Sequence, residues 1–308
     1  MTICPICKSN NYLTIIKNCH ENTYLTNNSY AYKHCLDCLV ISQDPIPDDE
    51  SLNKHYKYIE SLGIKQLNSR KGLQLLFKIK NYYKKRNFKN LIRMISKFGE
   101  NDYSYFNLLN PGKILDLGSG IGLFSIAAKE QGFDVISLEQ SRASVEISKK
   151  IGTNVILSDL NSELAMEYAS KVDNITLNHV FEHIKNPLEF LESLRNNIKQ
   201  TTKVVIVVPN SSSIWRYLFR EKWYGWDPPV HVHLYNQKSL KIIMNKLGYK
   251  IEYLSSINKI DALAAAISTI GFKLNKLRLL FRIISFVISP FLKKFNIAPE
   301  IICVVSKV

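Results

Sequence analysis

No stretch of this 308-residue chain is apolar enough to cross a bilayer, which takes about 20 consecutive apolar residues. The most apolar run, 279–292, is broken by Arg282 and Pro290. No secretory leader is legible: the opening MTICPICK has two cysteines where a charged region and an apolar stretch would stand. The chain is therefore expected in the cytoplasm. Glycine is sparse at 12 residues, and 46% hydrophobic against 22% charged residues is ordinary globular usage. Collagen-like, disordered and coiled-coil classes are excluded on that basis. The length suits one full-sized domain with a smaller one. Acidic side chains are also short, 26 against 41 Lys and Arg, leaving a net charge of +15. The imbalance sits in 51–110 (13 basic, 3 acidic) and 261–308 (7 basic, 2 acidic). Such a field attracts nucleic acid, anionic lipid or a phosphorylated substrate. Lysines that are merely solvated would give the same totals.

Four of the six cysteines form two pairs, Cys4-x-x-Cys7 and Cys35-x-x-Cys38. A two-residue spacer lets both thiolates of a pair converge on one tetrahedral ion, and two such turns complete a closed four-sulfur zinc site. Short β-like runs at 12–17 and 30–34 suit a zinc ribbon, and in so small a module the metal supplies much of the folding free energy. Two disulfides are the competing reading, disfavoured in a reducing compartment. No βαβ context supports a thioredoxin-like redox pair. Cys19, His20 and His34 are spare residues of the surface or core, and Cys303 is expected as an inert core thiol.

From 48 to about 110 the pattern is helical and lysine-rich, with apolar positions such as Leu73, Leu76, Ile79, Leu91, Ile92 and Ile95. The period then changes. Strands are expected at 113–117, 135–139, 155–158, 175–178, 203–208, 250–254 and 300–306. Helices are expected at 123–131, 141–150, 162–170, 187–199 and 239–247. Alternation of this kind implies a doubly wound, Rossmann-like α/β sheet with parallel pairing, binding its ligand at the carboxyl ends of the strands. The organisation read from the chain is a zinc-ribbon-like module at 1–47, a basic helical linker or cap at 48–110, and the α/β domain at 111–308. A helical insertion occupies 261–299 of that domain.

The glycine turn Gly118-x-Gly120-x-Gly122 lets backbone approach a ligand closely. A dinucleotide fingerprint needs Gly or Ala where Leu123 stands. Asp116 precedes the turn and reads either as a turn-stabilising carboxylate or as a direct ligand. Glu139 closes the next strand, where a carboxylate accepts from ribose hydroxyls, and Asp159 follows the third, at the depth of an adenine amino group.

These residues resemble the class I S-adenosylmethionine-dependent methyltransferases. The resemblance is carried by ILDLGSGIG (114–122), Glu139, Ser158-Asp159-Leu160 and NHVFEHIKNP (178–187), and covers about 111–308. Pro209-Asn210 and Trp226-Asp227-Pro228-Pro229-Val230-His231 are similar to the ubiquinone-type and sugar methyltransferase branch, and the cysteine pairs to the zinc module of some nucleotide-sugar methyltransferases. A large carboxyl-terminal domain common in the latter is not expected here, so their substrate is not carried over. The resemblance implies a seven-stranded sheet whose last strand is antiparallel, with S-adenosylmethionine over Gly118, Ser119, Gly120 and Gly122. It also implies Glu139 and Gln140 at the ribose, Asp159 and Leu160 at the adenine, and Asn178 or His179 at the methionine part.

Methyl transfer to a hydroxyl benefits from a general base, ordinarily imidazole. His183 and His231 are the candidates for base or substrate orienter; buttressing of the loop is the alternative for His183, and His233 is expected inside a packed VHLY segment. In ubiquinone-type relatives acidic residues near this motif bind a divalent metal; Glu182 with His179 or His183 offers one carboxylate, a poor magnesium site. The loop 211–235 holds all three tryptophans, as a platform for a sugar or as packing. Leu277, Leu280, Phe281 and Ile284 beside Lys276, Arg278 and Arg282 form an amphipathic basic pattern, suited either to packing or to peripheral contact of 273–294 with the inner face of a membrane. The expected partner is a small-molecule or glycan substrate, free, nucleotide-linked or lipid-linked, methylated on oxygen in surface-polysaccharide or secondary-metabolite assembly. The rivals are an RNA methyltransferase using the zinc module and basic helices, and a non-catalytic binding protein. Nucleic acid is the less favoured partner, since no Asn-Pro-Pro-Tyr-like motif is present.

Overall fold

A computed structural model describes residues 3–20, 29–68, 74, 105–258 and 278–308. Most of the helical pattern expected at 48–110, and residues 259–277 of the expected insertion, lie outside the described residues.

Seven strands form one sheet: β4 (Lys113–Leu117), β5 (Asp134–Glu139), β6 (Ile156–Leu157), β7 (Asn174–Asn178), β8 (Lys203–Pro209), β10 (Tyr249–Ile257) and β11 (Glu300–Lys307). Their order is β10-β11-β8-β7-β4-β5-β6. Pairs from β6 to β8 are parallel, while β11 runs antiparallel between β8 and β10. This is the doubly wound, Rossmann-like sheet the sequence led to, antiparallel last strand included. A parallel strand is covered on both faces and so reads as an unbroken apolar run. Ile114, Leu115, Leu117 and the valines of β8 are accordingly buried. The helices follow the alternation: α2 (Leu123–Glu130), α3 (Arg142–Ile151), α4 (Glu163–Ala169), α5 (Pro187–Asn197) and α7 (Gln237–Lys246). Ser141 and Ser162 cap α3 and α4 through their hydroxyls, and Pro187 opens α5, each where a helix N-terminus tolerates or wants that residue. Upstream lies α1 (Asp49–Asn68), whose first turn is closed by Asp48 accepting from the Ser51 amide at 2.7 Å.

A second sheet joins β1 (Tyr12–His20), β2 (Ser29–Cys35) and β3 (Ile41–Asp44) to β9 (His233–Leu234) in the order β1-β2-β3-β9, all antiparallel. Its fourth strand comes from the loop after β8, so the cysteine-bearing sheet is completed by the α/β part of the chain. Cys4, Ile6, Cys35, Cys38 and Val40 belong to the same apolar core as Leu177, Leu240 and Ile301. A second core unites Ile16, Tyr32 and Ile41 with Trp215, Trp223 and Trp226. All three tryptophans of the loop are buried there: packing, not a sugar platform, is what they do. Trp215 belongs to α6 (Ile214–Phe219), and Leu292 of α8 (Arg278–Lys294) joins the same core.

Candidate active site

The chain leaves β4 through the glycine turn, and all three glycines take left-handed φ: +70° at Gly118, +55° at Gly120 and +81° at Gly122. A Cβ on Gly118 would meet Val180 at 2.5 Å, and one on Gly122 would press on Thr153 and Val155 at 3.0 Å; one on Gly120 would meet nothing within 4 Å. Gly118 and Gly122 are thus held by packing, and Gly120 borders open space. Glu139 fixes the bend from the neighbouring strand. Its Oε2 accepts from the Gly120 amide and its Oε1 from the Ser141 amide, both at 2.8 Å.

The open space is a cavity of about 320 Å³ lined by Asp116, Gly118, Ser119, Gly120, Ile121, Leu123, Phe124, Asn178, His179 and Val207. Asp116 is buried. Its Oδ1 accepts from the Thr176 hydroxyl at 2.7 Å and weakly from Asn178 at 3.5 Å, while Oδ2 has no hydrogen-bond partner among the described residues. Burial raises this carboxyl to about 7, against the pull of Thr176 and Asn178. Asp116 therefore braces β7 rather than the turn and keeps one buried oxygen for a donor. Asn178 is oriented by the Tyr105 hydroxyl, which donates to its Oδ1.

Beyond His179 lies a cluster around Glu182, a fully buried carboxylate. His179 Nδ1 stands 3.4 Å from Glu182 Oε1, and its Nε2 3.4 Å from Glu300 Oε1. His231 Nε2 is 4.0 Å from Glu182 Oε1. Burial alone would push the Glu182 carboxyl up; His179, with His183 and His231, holds it below the usual range. The rings of His183 and His231 meet edge to face at 4.9 Å. His183 Nδ1 lies 2.9 Å from the Val230 carbonyl oxygen, and His231 Nδ1 2.8 Å from that of Gly225. A carbonyl only accepts, so both Nδ1 atoms donate and each neutral ring keeps its lone pair on Nε2. Burial lowers His183 despite Glu182 beside it, which favours that neutral form. His233 sits elsewhere, in β9: Nε2 donates to the Lys185 carbonyl at 3.0 Å and Nδ1 faces the Ser42 hydroxyl at 2.9 Å. Burial takes it down to about 4.

The cysteines converge. Sγ of Cys4 and Cys38 are 3.6 Å apart and those of Cys7 and Cys35 3.4 Å, and all four lie within 4.8 Å of one another. The two pairs are built alike. Cys4 O accepts from Lys8 N and Cys35 O from Leu39 N, both at 3.0 Å. Lys8 and Leu39 both take left-handed φ, 64° and 61°. A disulfide would need about 2.05 Å between sulfurs, and none of the six cysteines is in one.

A family model described as a methyltransferase domain matches residues 83–254, more than half of the chain. The protein belongs to the methyltransferase-domain family. Among the relatives of this family member is the ubiquinone biosynthesis O-methyltransferase of Histophilus somni, 30% identical over 102 residues, 30% of this chain and 43% of the relative. The enzyme of the same description from Rickettsia bellii is 26% identical over 131 residues, 41% of this chain and 55% of the relative. The chain spans about half the length of these curated relatives. A solved SAM-dependent methyltransferase from Archaeoglobus fulgidus aligns with 71% of this chain and 100% of its own, at 21% identity and a TM-score of 0.44. Of the residues expected at the cofactor, Asp116, Gly118, Ser119, Gly120, Asn178 and His179 line this methyltransferase-domain cavity. Gly122 caps α2 and Glu139 lies beneath the turn. Gln140, Asp159 and Leu160 are outside the lining; Gln140 and Asp159 are exposed, and Asp159 accepts from the Asn161 amide at 2.8 Å. The apolar wall of Ile121, Leu123, Phe124 and Val207 was not singled out from sequence, although three of the four directly follow or open from the glycine turn. Glu300 was read only as the start of a strand.

Proposed function

We propose that this protein transfers a methyl group from S-adenosylmethionine to a hydroxyl of a small molecule or glycan. The observation that carries the reading is the buried Oδ2 of Asp116, without a hydrogen-bond partner among the described residues, beside a cavity that Gly120 lines. In its ionised form that oxygen only accepts and matches the cationic amino group of the donor's methionine part, and a residue larger than glycine at 120 would take the space. Glu139 keeps lone pairs beyond those used by the two amides, for ribose hydroxyls. Bound there, the donor supplies an electrophilic methyl carbon. The work left to the chain is to place an acceptor oxygen in line with it and to receive the acceptor's proton. Nε2 of His183 or His231 receives that proton, with the imidazolium then stabilised by the Glu182 carboxylate; the methyl goes to the acceptor oxygen and the bonding pair stays on sulfur. A sugar or glycan hydroxyl as acceptor rests on the likeness of 178–187 and 226–231 to the branch of ubiquinone-type and sugar methyltransferases, which suits a phenolic hydroxyl as well.

Structural zinc at Cys4, Cys7, Cys35 and Cys38 belongs to the same proposal. With Zn–S bonds of about 2.3 Å, the sulfurs of a tetrahedron stand about 3.8 Å apart, close to the two shortest separations found. A second reading of the histidine cluster follows from Glu182, His183 and His231, whose ligand atoms all lie within 4.8 Å of one another, and from the full burial of Glu182. Two imidazoles and one carboxylate suit a transition metal rather than magnesium.

Calorimetry with S-adenosylmethionine, followed by release of S-adenosylhomocysteine over a panel of nucleotide sugars, phenols and RNA, tests the function. Saturable donor binding with turnover of a hydroxyl acceptor is expected. Absence of donor binding would overturn it, and turnover of RNA alone would move the acceptor to the rival class.

A further inference from the structure

Helix α8 is inside out. Its inner face buries Ser285 and Ser289 together with Leu292. Asn258, itself buried at the end of β10, donates to the Ser285 carbonyl at 2.7 Å and lies 3.2 Å from its hydroxyl. The outer face carries Leu280, Ile283, Ile284, Val287 and Phe291 at steps of three and four, all exposed, with Val287 at 67% and Phe291 at 58%. Phe295 extends the row, its ring 4.6 Å from that of Phe291. Amphipathic helices on a globular domain put such a stripe against the core; here Leu292, Ile288 and the Asn258–Ser285 contact hold the inner face, and the larger apolar stripe is exposed. Large contiguous apolar patches on a surface mark an interaction site.

The sequence on either side of the ridge carries charge of one sign. Between positions 262 and 299 the chain has six Lys and Arg and no Asp or Glu. Lys294 Nζ lies 5.9 Å from the centre of the Phe295 ring. On α6, which meets α8 in the tryptophan core, Tyr217 and Leu218 are also exposed, at 61% and 63%, and Arg216 stands over the Tyr217 ring at 4.4 Å. Aromatic and aliphatic groups with cations beside them match the boundary between acyl chains and anionic headgroups. A second copy is a poor occupant, since a two-fold interface would set these cations against each other.

We propose that α8 docks this protein on an anionic lipid bilayer surface through the ridge from Leu280 to Phe295. The inference goes beyond methyl transfer and is tested without it. The full chain is sedimented with vesicles of phosphatidylcholine alone and of phosphatidylcholine with one-quarter phosphatidylglycerol. Expected is partition onto the phosphatidylglycerol vesicles, at least tenfold stronger than onto phosphatidylcholine and weakened at about 0.5 M salt, where charges are screened within a few ångström. The double variant Val287→Asp, Phe291→Asp should lose at least tenfold of that partition while binding S-adenosylmethionine as the wild type does; both positions are exposed, so folding is spared. No partition of the wild type, or equal partition of wild type and variant, overturns the proposal. So does a wild-type dimer that the variant abolishes in the absence of vesicle binding, which would assign the ridge to a second copy.

Discussion

The hydroxyl of Tyr32 lies 3.1 Å from the main-chain oxygen of His231 and 2.8 Å from that of Trp226, donating between them. Tyr32 belongs to β2 of the cysteine-bearing sheet, and His231 carries an Nε2 that faces Glu182. The amino-terminal module therefore braces the loop on which one of the two candidate bases stands. Tyr32→Phe removes the donor and leaves two buried carbonyls short of one bond, a cost of about 1–3 kcal/mol. A lower midpoint of thermal unfolding and a several-fold lower kcat are expected, with donor affinity by calorimetry unchanged. Unchanged turnover would mean that the brace has no bearing on His231.

The same relationship makes the metal matter beyond its own turns. Elemental analysis is expected to give one zinc per chain. Because β9 and the loop 225–231 hang on the sheet that Cys35 and Cys38 flank, removal of zinc with a strong chelator should lower both thermal stability and turnover. Cys38→Ser should reproduce the loss. Full activity in metal-stripped protein would confine the cysteines to a local role.

Glu139 holds the glycine turn through Gly120 and the start of α3 through Ser141. Glu139→Ala deletes both acceptors as well as those left for ribose hydroxyls. Donor affinity should fall at least tenfold, about 1.4 kcal/mol, and Glu139→Gln, which keeps one carbonyl acceptor, should fall less. Titration calorimetry reads both. Equal affinity in wild type and Glu139→Ala would remove Glu139 from the cofactor site.

What was legible follows physical form. The sheet was readable because buried parallel strands are apolar runs and because left-handed glycines cluster where backbone must bend around a ligand. The cysteine turns were readable because ligand spacing is local. β9 was not: two residues long, it pairs Ser42 with His233, and a contact across so much chain leaves no periodic trace. Glu300 reaches His179 only because β11 inserts antiparallel and sets Glu300 beside Pro209. For α8 the period gave the stripe and not its direction; the buried Asn258–Ser285 contact decides that. Packing is the favoured role of the loop aromatics by residue type, and for the three tryptophans the core shared with Tyr32 and Ile16 decides it.

Asp116 gives a pH signature. Its carboxyl is raised from 3.8 to about 7, so the folded, ligand-free chain holds this proton over a range where the unfolded chain has released it. Stability of the ligand-free protein should accordingly fall as pH rises from about 4 to about 7, and level off above. A cationic amino group needs the ionised form, so donor affinity should rise with pH by up to tenfold per unit below about 7. Asp116→Asn should bind weakly with no such slope. A pH-independent wild-type affinity would take Asp116 out of contact with the donor.

His183 and His231 are separable, and so are the base and metal readings of their cluster. A general base contributes about 10²–10⁴ to the rate, so alanine at the acting histidine should lower kcat by that factor with donor affinity intact, while alanine at the other costs less. Since burial lowers His183, a base at that position stays neutral below the ordinary imidazole range. Turnover then declines only as pH drops through that lowered value, once the Asp116 effect is removed by saturating donor. If the cluster instead holds a transition metal, Glu182→Gln should abolish manganese or iron binding by the purified chain, a readout that needs no turnover. It should also make both histidines equally necessary, because each would supply one ligand. Zinc-replete protein that binds no second metal and turns over in the presence of a mild chelator leaves imidazole as the base.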